Sequence, residues 1–256
     1  MSNTLFIGKV YYSFDELAST NDFARELLAK SRPPEGTVIR AASQTAGRGQ
    51  FGSRWLTEPG ANLTLSVILY PDWLTITDQF QLSEAIALAV RDTVHRPPST
   101  VHRPPSTVKW PNDIYLGDRK TAGILIQNTL SGNRLETASV GIGLNVNQQV
   151  FPPEAPNATS MALFAGHTFD LDAVAQTLFE NLERRYLQLK SGQNESLRAE
   201  YRQCLYGLDE ERRFARPDGS AFRGIIRGVQ PDGQLMIQTE NGFEFFSVKT
   251  IQMLHV

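Results

Sequence analysis

The sequence predicts an α+β fold: a mixed, mostly antiparallel sheet backed by helices, followed by a small second unit of short strands. Three observations carry this expectation. Apolar runs of strand length recur between residues 37 and 146 and are joined by short turns more often than by helices. An amphipathic stripe of Val174, Leu178, Leu182, Tyr186 and Leu189 has the period of a long helix. From Asp209 onward the texture changes to short strands punctuated by Pro217-Asp218-Gly219, Pro231-Asp232-Gly233 and Asn241-Gly242. The expected division is 1–208 and 209–256.

Taken in order, residues 22–30 place Phe23, Leu27 and Leu28 on one face, and Ser19-Thr20-Asn21 supplies capping side chains at the start of that helix. Strands are expected over 37–42 and 63–69, on either side of a glycine-rich loop. Residues 82–94, with Ile86, Leu88 and Val90, read as a buried helix. The runs 108–116, 122–129 and 135–146 continue the sheet. Asp170 and Asp172 open the long helix, which Ser191-Gly192-Gln193-Asn194 interrupts before a shorter one through Leu205. Residues 95–101, His-Arg-Pro-Pro-Ser-Thr-Val, recur unchanged as 102–108. Two prolines per copy exclude regular helix and interior strand, so this duplication is read as a longer connection with no chemistry of its own.

At 256 residues the chain holds one core domain with an appendage. A net charge of -2 argues against a protein that coats nucleic acid or anionic membrane, so small molecules or acidic proteins are the expected partners, with no DNA. Cys204 is the sole cysteine, which excludes an intramolecular disulfide and a thiolate metal cluster. No signal peptide or membrane span is evident, and the cytoplasm is the expected location. His95, His102, His167 and His255 show no metal-ligand spacing, and no zinc site is expected.

The chemistry concentrates in Lys109-Trp-Pro-Asn-Asp-Ile-Tyr-Leu-Gly-Asp-Arg-Lys120-Thr-Ala-Gly-Ile-Leu-Ile-Gln127. Lys120 lies between two apolar runs, close to Gly123, with Asn112 and Asp113 nearby. A cation so placed can hold a carboxylate and a phosphate together while one attacks the other. Residues 47–52, Gly-Arg-Gly-Gln-Phe-Gly, satisfy the dinucleotide pattern Gly-x-Gly-x-x-Gly, but that fingerprint needs a helix directly after the glycines, and residues 53–60 read as loop. The stretch is better read as a binding loop, with Gly47 and Gly49 allowing close approach, Arg48 and Arg54 for phosphate oxygens, and Trp55 to wall off an apolar ring. Gly141 and Gly143 interrupt an apolar strand, which indicates either close approach of a ligand or another backbone, or a bulge.

Four ordered blocks, Ser19-Thr20-Asn21, Gln44-Thr-Ala-Gly-Arg-Gly49 with Trp55 following, Lys109-Trp-Pro-Asn-Asp113 with Lys120, and Gly141-Ile-Gly-Leu-Asn-Val-Asn147, resemble those of the biotin protein ligases over roughly residues 5–150. The resemblance implies a class II synthetase-like catalytic domain with a C-terminal SH3-like barrel. It implies ATP and biotin as substrates with Mg²⁺, a biotin carboxyl carrier protein as acceptor, and homodimerisation as a common family trait. Catalytic roles would fall to Lys120, Arg48 and Asp113, the last either orienting Lys120 or helping the incoming amine lose its proton. Biotin would be held by Ser19, Thr20, Asn21, Gln44, Gly47, Arg48, Gly49, Gln50, Trp55, Lys120, Gly123, Gly141 and Gly143. Arg48, Arg54, Trp55, Asn112, Lys120 and Asn145 would serve ATP and the adenylate. Trp110 and Pro111 are assigned mainly to packing.

One departure stands out: many relatives carry a basic residue directly after Gly-Arg-Gly, where this chain has Gln50. Lipoate or octanoate ligases of the same superfamily usually show an Arg-Arg-x-x-Gly-Gly-Gly block, which is absent here. A biotin-sensing repressor would need a winged helix, whereas about four residues precede the first apolar run; a non-catalytic biotin-binding module would not need Asp113 and Lys120.

Overall fold

A computed structural model describes residues 3–95 and 105–254. Its larger sheet has seven strands: β1 (Tyr11–Leu17), β2 (Val38–Gln44), β3 (Leu63–Leu69), β4 (Ser106–Lys109), β5 (Asp113–Leu116), β6 (Arg119–Ser131) and β7 (Arg134–Leu144). Their order is β1-β2-β3-β7-β6-β5-β4. Only β1 and β2 run parallel among the described pairings, because α1 (Thr20–Lys30) carries the chain back between them. The other neighbours are antiparallel, as the short turns predict.

The sheet rests on α2 (Gln79–His95), which in turn packs on α4 (Leu171–Lys190). β3 is buried at all seven positions, Leu-Thr-Leu-Ser-Val-Ile-Leu, because α1 covers one face and α2 and α4 close the other. A short α3 (Met161–Ala165), capped by Ser160, and α5 (Asn194–Gln203) complete the helices. The long helix begins where Asp170 accepts from the Asp172 and Ala173 N–H groups.

The run 108–116, expected as one strand, is two: β4 and β5 form a hairpin around Trp110-Pro111-Asn112, since a proline removes a ladder donor and turns the chain. β1 and α3 were not foreseen. β1 is an edge strand with exposed residues on both faces, so its Tyr-Tyr-Ser-Phe-Asp-Glu-Leu carries no clear alternation. The duplicated residues from 96 to 104, and His102 and His255, lie outside the described residues.

The C-terminal residues form a five-stranded sheet ordered β11-β10-β9-β8-β12: β8 (Glu211–Ala215), β9 (Ala221–Val229), β10 (Leu235–Thr239), β11 (Gly242–Phe246) and β12 (Gln252–Leu254). All its pairings are antiparallel, and the turns fall where Pro-Asp-Gly and Asn-Gly predicted them. Phe214, Ile226, Leu235, Ile237 and Phe246 belong to the same buried cluster as the main sheet's Leu63, Leu65 and Val108, so the two sheets share a continuous apolar core.

Glu84 on α2 is 1% exposed, with Arg198 Nε 3.8 Å from its carboxylate. Burial, only partly offset by Arg198, pushes its carboxyl up to about 7. The folded state therefore holds a proton that the unfolded chain has already lost, and stability falls as pH rises from about 4.5 to about 7. Glu84→Gln is expected to remove this penalty, raising unfolding free energy by about 3 kcal/mol at alkaline pH and little near pH 5. Urea midpoints of the two proteins that stay equally spaced across that window would contradict it.

Candidate active site

A cavity of about 440 Å³ opens between the N-terminus of α1, the 47–55 loop, the β5–β6 hairpin and the C-terminal sheet. Its polar end is built by the first turn of α1. Ser19 has an extended backbone and accepts the Asp22 N–H at 3.3 Å, starting the helix, while the Thr20 N–H donates 2.7 Å to Gln44 Oε1 at the end of β2. Asn21, 4% exposed, donates to the Leu125 carbonyl at 3.2 Å. Its amide oxygen accepts from Ser66 at 2.6 Å and Ser139 at 3.1 Å. Three strands thus hold one side chain in place, and the two serines, which sequence reasoning passed over, are the reason polar residues interrupt buried strands.

The glycines of β7 have a specific spatial cause. A Cβ on Gly141 would lie 2.7 Å from the Asn21 amide, and one on Gly143 2.6 Å from Trp55 Cζ2 and Nε1. A Cβ on Gly123, Gly143's ladder partner on β6, would come within 2.9 Å of the same indole. Neither a bulge nor another backbone explains the pair: β7 keeps its register with β6 and β3 through both positions, and side chains fill the space. Trp55 therefore lies against a floor stripped of side chains. Its Nε1–H is buried without a hydrogen-bond partner.

Lys120, the second residue of β6, lines the cavity with its ammonium 2.6 Å from Asp113 Oδ1 and 5.6 Å from the centre of the Trp55 ring. Its backbone is clamped on the outer side, donating to the Asn157 carbonyl and accepting from the Thr159 N–H, both at 2.8 Å. Asn112 fixes the turn before β5: its side-chain amide donates 2.8 Å to the Ile124 carbonyl, and the Ile124 N–H returns a bond to its carbonyl. Lys109 also faces the cavity and donates 3.0 Å to the Tyr115 hydroxyl. Burial, partly countered by Asp113, holds the Lys109 ammonium below its usual range, while burial and then Asp113 push the Tyr115 phenol up to about 12.

The 47–55 loop is a small hairpin in which Arg48 and Arg54 form a bridge and Gly49 N–H donates to Ser53 O. Arg48, Gly49, Gln50, Arg54 and Trp55 line the cavity, whereas Gly47 lines an adjoining depression that shares Arg48, Gly49 and Arg54 with it. Asn145 is 3% exposed and lies behind the wall: its amide donates to the Thr159 carbonyl at 3.1 Å, bracing the segment that clamps Lys120. Ser19, Thr20, Asn21, Gln44, Asn112, Asp113, Gly123, Gly141 and Gly143 all line the cavity. Trp110 packs on the core as expected, and its indole also donates 2.9 Å to the Gly233 carbonyl of the C-terminal sheet.

The far wall comes from Leu205, Tyr206, Val248, Lys249, Gln252 and Met253, none of them a sequence candidate. Nothing in local pattern marks them, since only chain folding brings residues 248–253 to this wall. Cationic side chains, Lys120 and Arg48 with Arg54, Lys109 and Lys249 around them, polar groups at one end and apolar walls along the rest suit an elongated, partly apolar acid together with a phosphate.

The family described as "Biotin/lipoate A/B protein ligase family" matches residues 13–145. The chain is similar to the bifunctional ligase/repressor BirA of Bacillus subtilis (strain 168), 32% identical over 244 residues covering 94% of this chain and 73% of that protein. It is likewise similar to the biotin–[acetyl-CoA-carboxylase] ligase of Mycobacterium tuberculosis, 32% identical over 234 residues covering 90% and 85%. Among solved structures, the biotin protein ligase from Aquifex aeolicus in complex with biotin and ATP superposes with a TM-score of 0.78 at 26% identity, covering 97% of this chain and 100% of that one.

Proposed function

Because the chain belongs to the biotin/lipoate A/B protein ligase family, we propose that it activates biotin with ATP and transfers it to a lysine of a carboxylase's carrier domain. The observation that carries this reading is Lys120, ion-paired to Asp113 at 2.6 Å in the wall of a cavity that Arg48 also lines. A carboxylate is too poor an electrophile to acylate an amine directly, so the reaction has two steps. Biotin's carboxylate oxygen attacks the α-phosphorus of MgATP; the bond to the bridging oxygen breaks, giving biotinyl-5′-AMP and pyrophosphate. The acceptor ε-amine then adds to the acyl carbon, AMP leaves, and a proton is lost from nitrogen as the amide forms.

Lys120, held by Asp113, neutralises both the carboxylate and the phosphate as they close and offsets charge developing on phosphorus. Arg48 shares the phosphate. The polar end at Ser19, Thr20 and Asn21 takes the ureido ring, and the floor at Gly123 and Gly143 leaves room for flat groups beside Trp55. The orphaned indole N–H supplies a donor to the adenylate. Asp113, already paired, orients Lys120 in the first step; in the second it is placed to accept the acceptor amine's proton. MgATP is the nucleotide substrate, and the acceptor is a biotin carboxyl carrier domain in the cytoplasm.

The test is transfer of radiolabelled biotin to a purified carrier domain with MgATP, with lipoate and octanoate assayed in parallel. ATP-dependent labelling by biotin alone is the expected result. Preferential labelling by lipoate or octanoate would move the chain to that side of the family, and no acyl-dependent pyrophosphate release would end the enzyme reading.

A further inference from the structure

Arg48 lines the cavity, yet its guanidinium is held from outside it. Nη2 lies 3.1 Å from Oδ2 of Asp22, a first-turn residue of α1 that does not itself line the cavity. The other oxygen of that carboxylate takes Arg25 at 2.8 Å, and the Asp22 N–H is fixed by Ser19 Oγ. Asp22 is therefore well anchored, with a side chain 16% exposed, whereas Arg48 is 53% exposed.

The loop that carries Arg48 is loosely attached. At its base Thr45 N–H and Ala46 N–H donate to the Leu17 and Ala18 carbonyls. Beyond them, the backbone bonds Gly49 N–H to Ser53 O, Ser53 N–H to Gln50 O and Trp55 N–H to Gly47 O are internal to the loop. Among the described residues, its rim reaches the body through the Trp55 indole, which lies against Gly123, Gly143 and the Lys120 ammonium, and through the Arg48 ion pair. A neutral residue, Gln50, follows Gly49, and adds no charge to the attachment.

We propose that Asp22 is a positioning residue that latches the 47–55 loop closed by holding Arg48 at the cavity mouth, so that the reactive acyl-adenylate is retained. This rests on the functional reading above. Asp22 acts through Arg48 and touches no substrate. Magnitude limits the role: a partly exposed ion pair biases such an open–closed equilibrium by up to about fivefold, well short of what loss of a reacting group produces. The effect belongs in ligand retention and KM. It shrinks as salt screens the pair, because the Arg48 guanidinium is half exposed.

The experiment compares wild type with Asp22→Asn and Asp22→Glu. Release of preformed biotinyl-5′-AMP and the KM values for biotin and ATP are measured at low salt and at about 1 M salt, where screening is strong, and tryptic cleavage after Arg48 is timed without ligand. The expected result for Asp22→Asn is three- to fivefold faster release, a matching rise in KM, kcat within about twofold, and faster cleavage, all converging on wild type at high salt. Asp22→Glu should recover most of the retention. A release rate and cleavage rate equal to wild type at low salt would overturn the inference. So would a defect that persists at high salt, since it would come from a damaged helix start. If wild type itself forms no biotinyl adenylate, the functional reading fails and the latch falls with it; a wild type that is active with an indifferent Asp22→Asn sinks the latch alone.

Discussion

Lys120→Ala is expected to lower the rate of adenylate formation by about 10²- to 10³-fold, the loss of about 3 to 4 kcal/mol that follows removal of one preorganised charge donor. The protein should still fold. Lys120 is 32% exposed and Asp113 21%, so their pair contributes little to stability, about 1 kcal/mol or less, and the bared carboxylate is reached by water. The loss should appear in kcat for biotin-dependent pyrophosphate release, with biotin affinity less affected, because the ammonium bonds most strongly to charge that develops during attack. Lys120→Arg keeps the charge but replaces a compact ammonium with a planar fork beside Trp55 and Gly123, and an intermediate rate is expected. A Lys120→Ala protein that forms adenylate within about threefold of wild type would displace this residue from the centre of the mechanism.

Gly143→Ala is expected to have the next largest effect, although it adds one carbon and brings no charge. The new methyl would sit 2.6 Å from Trp55 Cζ2 and Nε1, with Gly123 and the β3 ladder leaving the strand no room to recede. The indole must move. Overpacking of this kind costs about 1 to 3 kcal/mol, so a rise of about tenfold or more in the KM for ATP is expected, with a lower unfolding midpoint. Adding Trp55→Ala to Gly143→Ala should restore the midpoint, since the clash is then gone, while leaving ATP binding weak. If Gly143→Ala binds ATP normally, Trp55 does not serve the adenylate from this position.

Turn glycines are constrained in another way. Gly117 and Gly132 take positive φ in hairpin turns with open space around them, and there the constraint is backbone conformation alone. Gly143 lacks positive φ; its constraint is the neighbour above it. The same residue type marks different physical needs, and local sequence does not tell them apart.

Much of the architecture was legible because it depends on periodicity and punctuation. Strand β3 was read to its ends from a strand-like run, the long helix from its stripe and its Asp170 cap, and the C-terminal strands from Pro-Asp-Gly and Asn-Gly turns. The edge strand β1 was not, because neither of its faces is fully buried and no alternation is imposed. The split of 108–116 into β4 and β5 was missed because its apolar residues continue across a turn.

What the sequence by itself determined is the family, the spacing of Asp113 and Lys120, the glycine-rich loop with Arg48 and Trp55, and the fold class that carries them. Covalent proximity fixes such features, since residues within a turn or hairpin cannot avoid one another. Only the tertiary structure decided that Ser66 and Ser139 hold Asn21, that Gly141 and Gly143 make room for Asn21 and Trp55, that Asn145 braces the wall from behind, and that residues 248–253 close the cavity. Those relations join residues tens to more than a hundred positions apart, and they exist because a shared apolar core packs the two sheets together, which no local pattern of side chains encodes.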